Sequence, residues 1–224
     1  MRFSAVENPL RALPQDAGTG RQTLVPAWVV PALRSAAALI VGFAITFTPA
    51  HSATFGLVAF GLYAVVAGAI LLAGSLGSRG DRPSRGLFLT QGVVTVIAGV
   101  AALVLPEGGV HYLVFVVSAW AIVTGALELV SGIRARTRLA AARDWIILGG
   151  LTLLLAVGFL VVPPDYSQTL GGIEQIKGQL TASVVLVGMF GAWAIVAGVL
   201  LGISAVSARG VRATASPIDR TVAS

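Results

Sequence analysis

The chain has no cysteine. Disulfides, thiolate nucleophiles and cysteine metal sites are therefore excluded. Charge is also scarce: of 224 residues, 11% are charged and 56% hydrophobic, and mean hydropathy is +0.91. Soluble domains carry about 25% charged residues, and a water-soluble fold this poor in charge would expose large apolar patches. Lysine is reduced to Lys177 and histidine to His51 and His111. Two histidines without acidic residues at ligand spacing make no metal site. No nucleophile stands at workable spacing from a base, and no cofactor fingerprint is present. The glycine-rich "GSLGSRG" at 74–80 lacks the Lys-Ser/Thr ending of a phosphate-binding loop. No enzyme activity, cofactor or metal is expected. The net charge of +6 would suit nucleic acid or anionic lipid. Its arginines, however, sit in short loops between apolar runs, which marks membrane topology, so no nucleic-acid partner is expected.

What the chain does have is apolar length. A bilayer core of about 30 Å needs roughly 20 apolar residues in helix. Six stretches qualify: 28–47, 54–76, 87–105, 110–133, 145–162 and 180–206. Lipid offers the backbone no hydrogen-bond partner, so each must be helical, and alternating barrel strands are absent. Arg2, Arg11 and Arg21 precede span one. Arg79, Arg82 and Arg85 follow span two, Arg136, Arg138 and Arg143 follow span four, and Arg209, Arg212 and Arg220 follow span six. The opposite loops hold only Lys177. By the positive-inside rule both termini and the arginine loops are cytoplasmic. Residues 1–25 and 210–224 are expected as flexible cytoplasmic tails. Trp28 and Trp145 fall near the cytoplasmic starts of their spans, where aromatic belts lie.

The same phrase is written three times: "YAVVAGAILLAGSLGSR" from Tyr63, "WAIVTGALELVSGIRAR" from Trp120 and "WAIVAGVLLGISAVSAR" from Trp193. Pro49, Pro106 and Pro163 each close an odd-numbered span, 57 residues apart, as are Tyr63 and Trp120. Trp120 and Trp193 are 73 apart, so the third unit carries an insertion of 16 residues. The fold class is thus all-α, a polytopic bundle of six transmembrane helices arranged as three repeated antiparallel hairpins. The units are 26–79, 80–136 and 137–209, with the outer insertion near 164–180. Small residues recur every seventh position, which keeps one seam facing a neighbour. Close backbone approach drives helix association in lipid. Gly42, Gly61, Gly68, Gly92, Gly99, Gly125, Gly132, Gly149, Gly191 and Gly198 are accordingly expected as a helix-packing seam.

Two-helix units of this length, with odd helices ending in proline and even helices reading "W-A-I-V-x-G" before a basic turn, resemble the HdeD-like short-repeat membrane family. The resemblance covers about residues 28 to 209. It implies a six-span protein of the bacterial cytoplasmic (inner) membrane linked to acid or envelope stress, with no catalytic residue to carry over. The 16-residue outer insertion and the long tails depart from that pattern.

Two charges interrupt the spans. Glu128 stands where the other repeats have Leu71 and Leu201, and Arg34 where they have Gln91 and Leu148. An acid at mid-membrane costs about 2.5–3.5 kcal/mol on insertion scales, and such charges are functional candidates. Glu128 is three residues from Gly125 and four from Gly132, which places it on the small-residue seam facing protein. At about 1.5 Å per residue, Arg34 lies about 22 Å and Glu128 about 25 Å from the outer ends of their helices. The matched depths predict an intramembrane charge pair, which would fix which hairpin meets which, relay protons or ions, or contact lipid or a partner. Snorkelling of Arg34, with Glu128 left to Gln91, Thr124 or water, is the competing arrangement.

His51 and His111 lie just past the prolines of the outer face, where titration near pH 6.5 would give a pH response, against the plainer reading of two wet polar residues. The segment "IEQIKGQ" in the insertion is expected as a turn or two of interfacial helix, with Ile173 and Ile176 toward lipid. The expected partners are the lipid bilayer and a homo-oligomer or membrane-protein partner. Two functional classes follow: a non-catalytic stress-related membrane protein, or a small proton or solute transporter using Glu128 and Arg34.

Overall fold

The computed structural model describes residues 26, 28–49, 51–77, 85–137, 141–169 and 179–214. The N-terminal tail, the loop arginines Arg79, Arg82 and Arg138, and the insertion residues 170–178 with Ile173, Ile176 and Lys177 lie outside these described residues.

Six helices are each long and apolar enough to cross a membrane. They are α1 Val29–Phe47, α2 Ala53–Leu76, α3 Arg85–Val104, α4 Gly109–Ala135, α5 Ala142–Val161 and α6 Ala182–Thr214. Apolar length sets the spans, and local chemistry sets their ends. Ser52 caps α2 by accepting the Phe55 amide at 3.1 Å, and α3 turns into α4 through Gly109 at φ +74°, a conformation that only glycine adopts freely.

Two expectations need correction. The sixth span starts at Ala182 rather than at Leu180, and α6 runs to Thr214. It thus takes in the first five residues of the expected tail, because no proline interrupts the chain before Pro217. The insertion closes as a ladder: β1 Ser167–Thr169 pairs antiparallel with β2 Gln179–Thr181, with Ser167 opposite Thr181. Gln179, expected in a helical turn, is therefore in a strand. The ends of the insertion must return to one point between α5 and α6, and pairing satisfies their backbone groups as they meet.

The closest pairs are α2 with α3, α4 with α5, and α6 with α1, and the two helices of each hairpin are also in contact. The seam glycines are the cause. A Cβ on Gly99 would lie 2.9 Å from the Gly61 carbonyl, and one on Gly68 2.9 Å from that of Gly92. Gly125 and Gly149 meet in the same way across α4 and α5, with Gly132 against the Ala142 carbonyl at 2.8 Å. Gly42, Gly191 and Gly198 join α1 to α6, and Ser35 donates there to the Gly198 carbonyl at 2.7 Å. The Arg209 guanidinium lies 4.4 Å over the Trp28 ring, which ties the end of α6 to the start of α1. At the same end, Trp145 of α5 sits edge-on to Phe88 of α3 at 4.9 Å.

The even helices form the inner ring. Half of the apolar stretch of α2, α4 and α6 is buried, against 28–33% for α1, α3 and α5. Positions matched by the repeat meet at one level, so the ring has pseudo-threefold symmetry. Ala64, Ala121 and Ala194 are all fully buried. Tyr63, Trp120 and Trp193 pack edge to face against one another, with centroids 5.4–6.3 Å apart. One turn away, Phe60 packs edge-on to Trp120, and Phe190 packs edge-on to Tyr63 and stacks on Trp193.

Candidate functional site: a buried polar cluster

Below the aromatic triad the core turns polar. The Arg34 Nη2 of α1 donates to Glu128 Oε1 of α4 at 3.0 Å. Glu128 is 2% exposed and Arg34 9%. The arrangement follows from the repeat. Glu128 occupies the layer that Leu71 and Leu201 fill in the other inner helices, and Arg34 projects inward from the outer ring at the level of Gln91 and Leu148. Removing one partner would strand a charge in an apolar layer, a cost of about 3–5 kcal/mol.

Glu128 is not on the seam itself. Gly125 and Gly132 face α5, and three residues of helix turn Glu128 about 60° from Gly125, toward the bundle interior. Thr124, one of its alternative partners in the sequence, instead donates to the Trp120 carbonyl at 2.7 Å. Gln91 is buried beside the pair and lines the same cavity, as does Tyr63, which interacts with Arg34.

The sequence passed over one set of contacts. Trp120 Nε1 donates to Thr95 Oγ1 at 3.2 Å, and Trp193 Nε1 to Thr152 Oγ1 at 3.3 Å. Both threonines also bond back to their own helices, to the Gln91 and Leu148 carbonyls, the usual role of a threonine in a helix interior. A signal was available: where the unit has tryptophan its odd helix has threonine, and where it has Tyr63 the matched position is Ala38. In the unit without a threonine, Tyr63 lines the cavity beside Arg34.

The two histidines are not brought into this cluster. His51 Nε2 bonds the Ile45 carbonyl at 3.1 Å, which also accepts the Thr48 amide, at the end of α1. His111 is exposed in the first turn of α4. Among the described residues no group of three or more His, Cys, Asp or Glu could hold a metal.

The family model described as "Short repeat of unknown function (DUF308)" matches the chain three times, over residues 33–92, 90–162 and 179–217. These matches cover well over half of the chain. The chain belongs to the DUF308 family. It is a multi-pass membrane helical protein built on this short repeat. The insertion falls in the gap between the second and third DUF308 matches. No curated protein and no solved structure matches the chain.

Proposed function

We propose that this DUF308 protein is a non-catalytic protein of the bacterial inner membrane, of the HdeD-like type, that supports tolerance of acid or envelope stress. It acts through its packed surface, by self-association or on a membrane-protein partner. Both termini and the arginine-bearing helix ends face the cytoplasm.

The observation that carries this reading is the closed packing around Glu128. The cavity beside the ion pair is about 10 Å³, the size of one water molecule. The triad of Tyr63, Trp120 and Trp193 stands above it with Phe60 and Phe190. A solute crossing the bundle axis would have to displace these rings. The two charges are spent on each other, which suits a fixed structural pair better than a relay.

The transport alternative keeps one supporting observation, a buried carboxylate and guanidinium at matched depth. Proton flux into liposomes carrying the full chain, at acid outside pH, separates the two. The expected result is flux no greater than in empty liposomes, with Glu128→Gln lowering thermal stability in detergent and leaving host acid survival unchanged. Flux that Glu128→Gln abolishes would establish the transporter instead. Host acid survival lowered by His51→Ala with His111→Ala would show a pH response at the outer face.

A further inference from the structure

Among the described residues, two buried side-chain polar atoms have no protein partner: Arg34 Nε and Gln91 Oε1. Their residues come from α1 and α3, at positions matched by the repeat, and both line the cavity beside Glu128. One atom is a donor and the other an acceptor. Leaving either bare in the interior forfeits its hydration without a replacement bond, and buried polar groups are in general satisfied by protein or ordered water.

We infer that this cavity is a binding site for a single structural water, held between Gln91 Oε1 and Arg34 Nε. A water accepts from the Nε–H and donates to the amide oxygen, and its second hydrogen is free for the Thr124 hydroxyl or the Tyr63 oxygen, which line the same space. The cavity volume of about 10 Å³ admits one such molecule and not two. In the third repeat Leu148 stands at the position matched to Arg34 and Gln91, so that unit supplies no polar ligand there and the site has two strong ligands. The water joins α3 to the ion pair of α1 and α4, so three helices share one hydrogen-bonded knot. That the water is sealed from bulk rests on the closed-bundle reading above; that it is bound by Gln91 does not.

X-ray radiolytic labelling of the full chain in nanodiscs tests the site, because hydroxyl radicals born at a bound water oxidise the side chains touching it. Tyr63 and Trp120 line the cavity and are only 2% and 5% exposed. The expected result is clear labelling at these two residues, each normalised to its labelling in the denatured chain, while Phe60 and Phe190 stay at background. Gln91→Leu, which copies the third repeat, is expected to abolish the Tyr63 and Trp120 label while Phe60 and Phe190 remain protected. Background labelling at Tyr63 and Trp120 in the unsubstituted protein overturns the proposal without any variant, and so does label that persists in folded Gln91→Leu. Mixing with ¹⁸O-water before exposure separates the two readings. Slow uptake of ¹⁸O into the label supports a sealed water. Fast uptake that is still lost in Gln91→Leu keeps the site and removes the closed bundle.

Discussion

Trp120 of α4 donates its indole N–H to Thr95 of α3, and the bond recurs between Trp193 of α6 and Thr152 of α5. Each bond joins an inner helix to the outer helix that precedes it in its own unit. The glycine seams join each inner helix to the other neighbour. The two kinds of contact alternate from α2 round to α1, so α3, α4, α5 and α6 are each held on both sides, while at the α1–α2 contact Ala38 stands in place of the threonine. Thr95→Val keeps the shape and removes the acceptor. It is expected to lower stability in detergent by about 1–2 kcal/mol, with Thr152→Val costing a similar amount, read by thermal unfolding and by a shift in tryptophan emission.

The ion pair departs from the template at both of its positions, and the template itself supplies the control. Glu128→Leu or Arg34→Leu alone should cost about 3–5 kcal/mol by stranding a charge. The double variant Arg34→Leu with Glu128→Leu places leucine where Leu148, Leu71 and Leu201 already stand. It is expected to recover most of that loss, because well-packed apolar residues replace a buried pair at little net cost. A double-mutant cycle on unfolding free energies measures the coupling; additive losses would show that the pair does not interact.

Glycines inside the seams and outside them should respond oppositely to the same change. A Cβ on Gly149 would meet the Leu129 amide nitrogen at 2.6 Å, and one on Gly99 the Val65 nitrogen at 2.8 Å. These are backbone atoms that cannot step aside, so Gly149→Ala and Gly99→Ala should each cost about 1–3 kcal/mol. Gly150 and Gly188 meet nothing within 4 Å. Alanine there is expected to be neutral or to stabilise by up to about 1 kcal/mol through helix propensity.

Orientation can be read directly because the native chain contains no cysteine. His111→Cys and Arg136→Cys each place one thiol at an exposed position, at opposite ends of α4. A membrane-impermeant maleimide added to intact cells should label the first. It should reach the second only after the membrane is opened. The reverse pattern would overturn the positive-inside assignment.

The legible part of the site was its pair of charges. Arg34 and Glu128 stand out because nothing else charged lies in the apolar stretches, and helix rise alone puts them at one depth. Tyr63, Trp120 and Thr95 were not legible as partners. An aromatic and a hydroxyl in apolar helices each have a sufficient local explanation, and only their joint variation across the repeat hints at a bond. Gln179 reads as the end of a helical turn for a related reason: "IEQIKGQ" has helical periodicity, while the pairing of β1 with β2 is set by where the chain must return.

The sequence by itself determined the number of helices, their ends to within a few residues for the first five, the three repeats and the identity of the seam glycines. Each of these depends on properties local to the chain: apolar length against a bilayer, turn chemistry and a seven-residue spacing of small side chains. Only the tertiary structure decided which helix each seam faces. A stripe of glycine states that some backbone comes close, and in a threefold repeat both flanking helices carry a matching stripe. The choice of α2 with α3, α4 with α5 and α6 with α1 is made by the packing of the whole ring, which also turns Glu128 inward to meet Arg34.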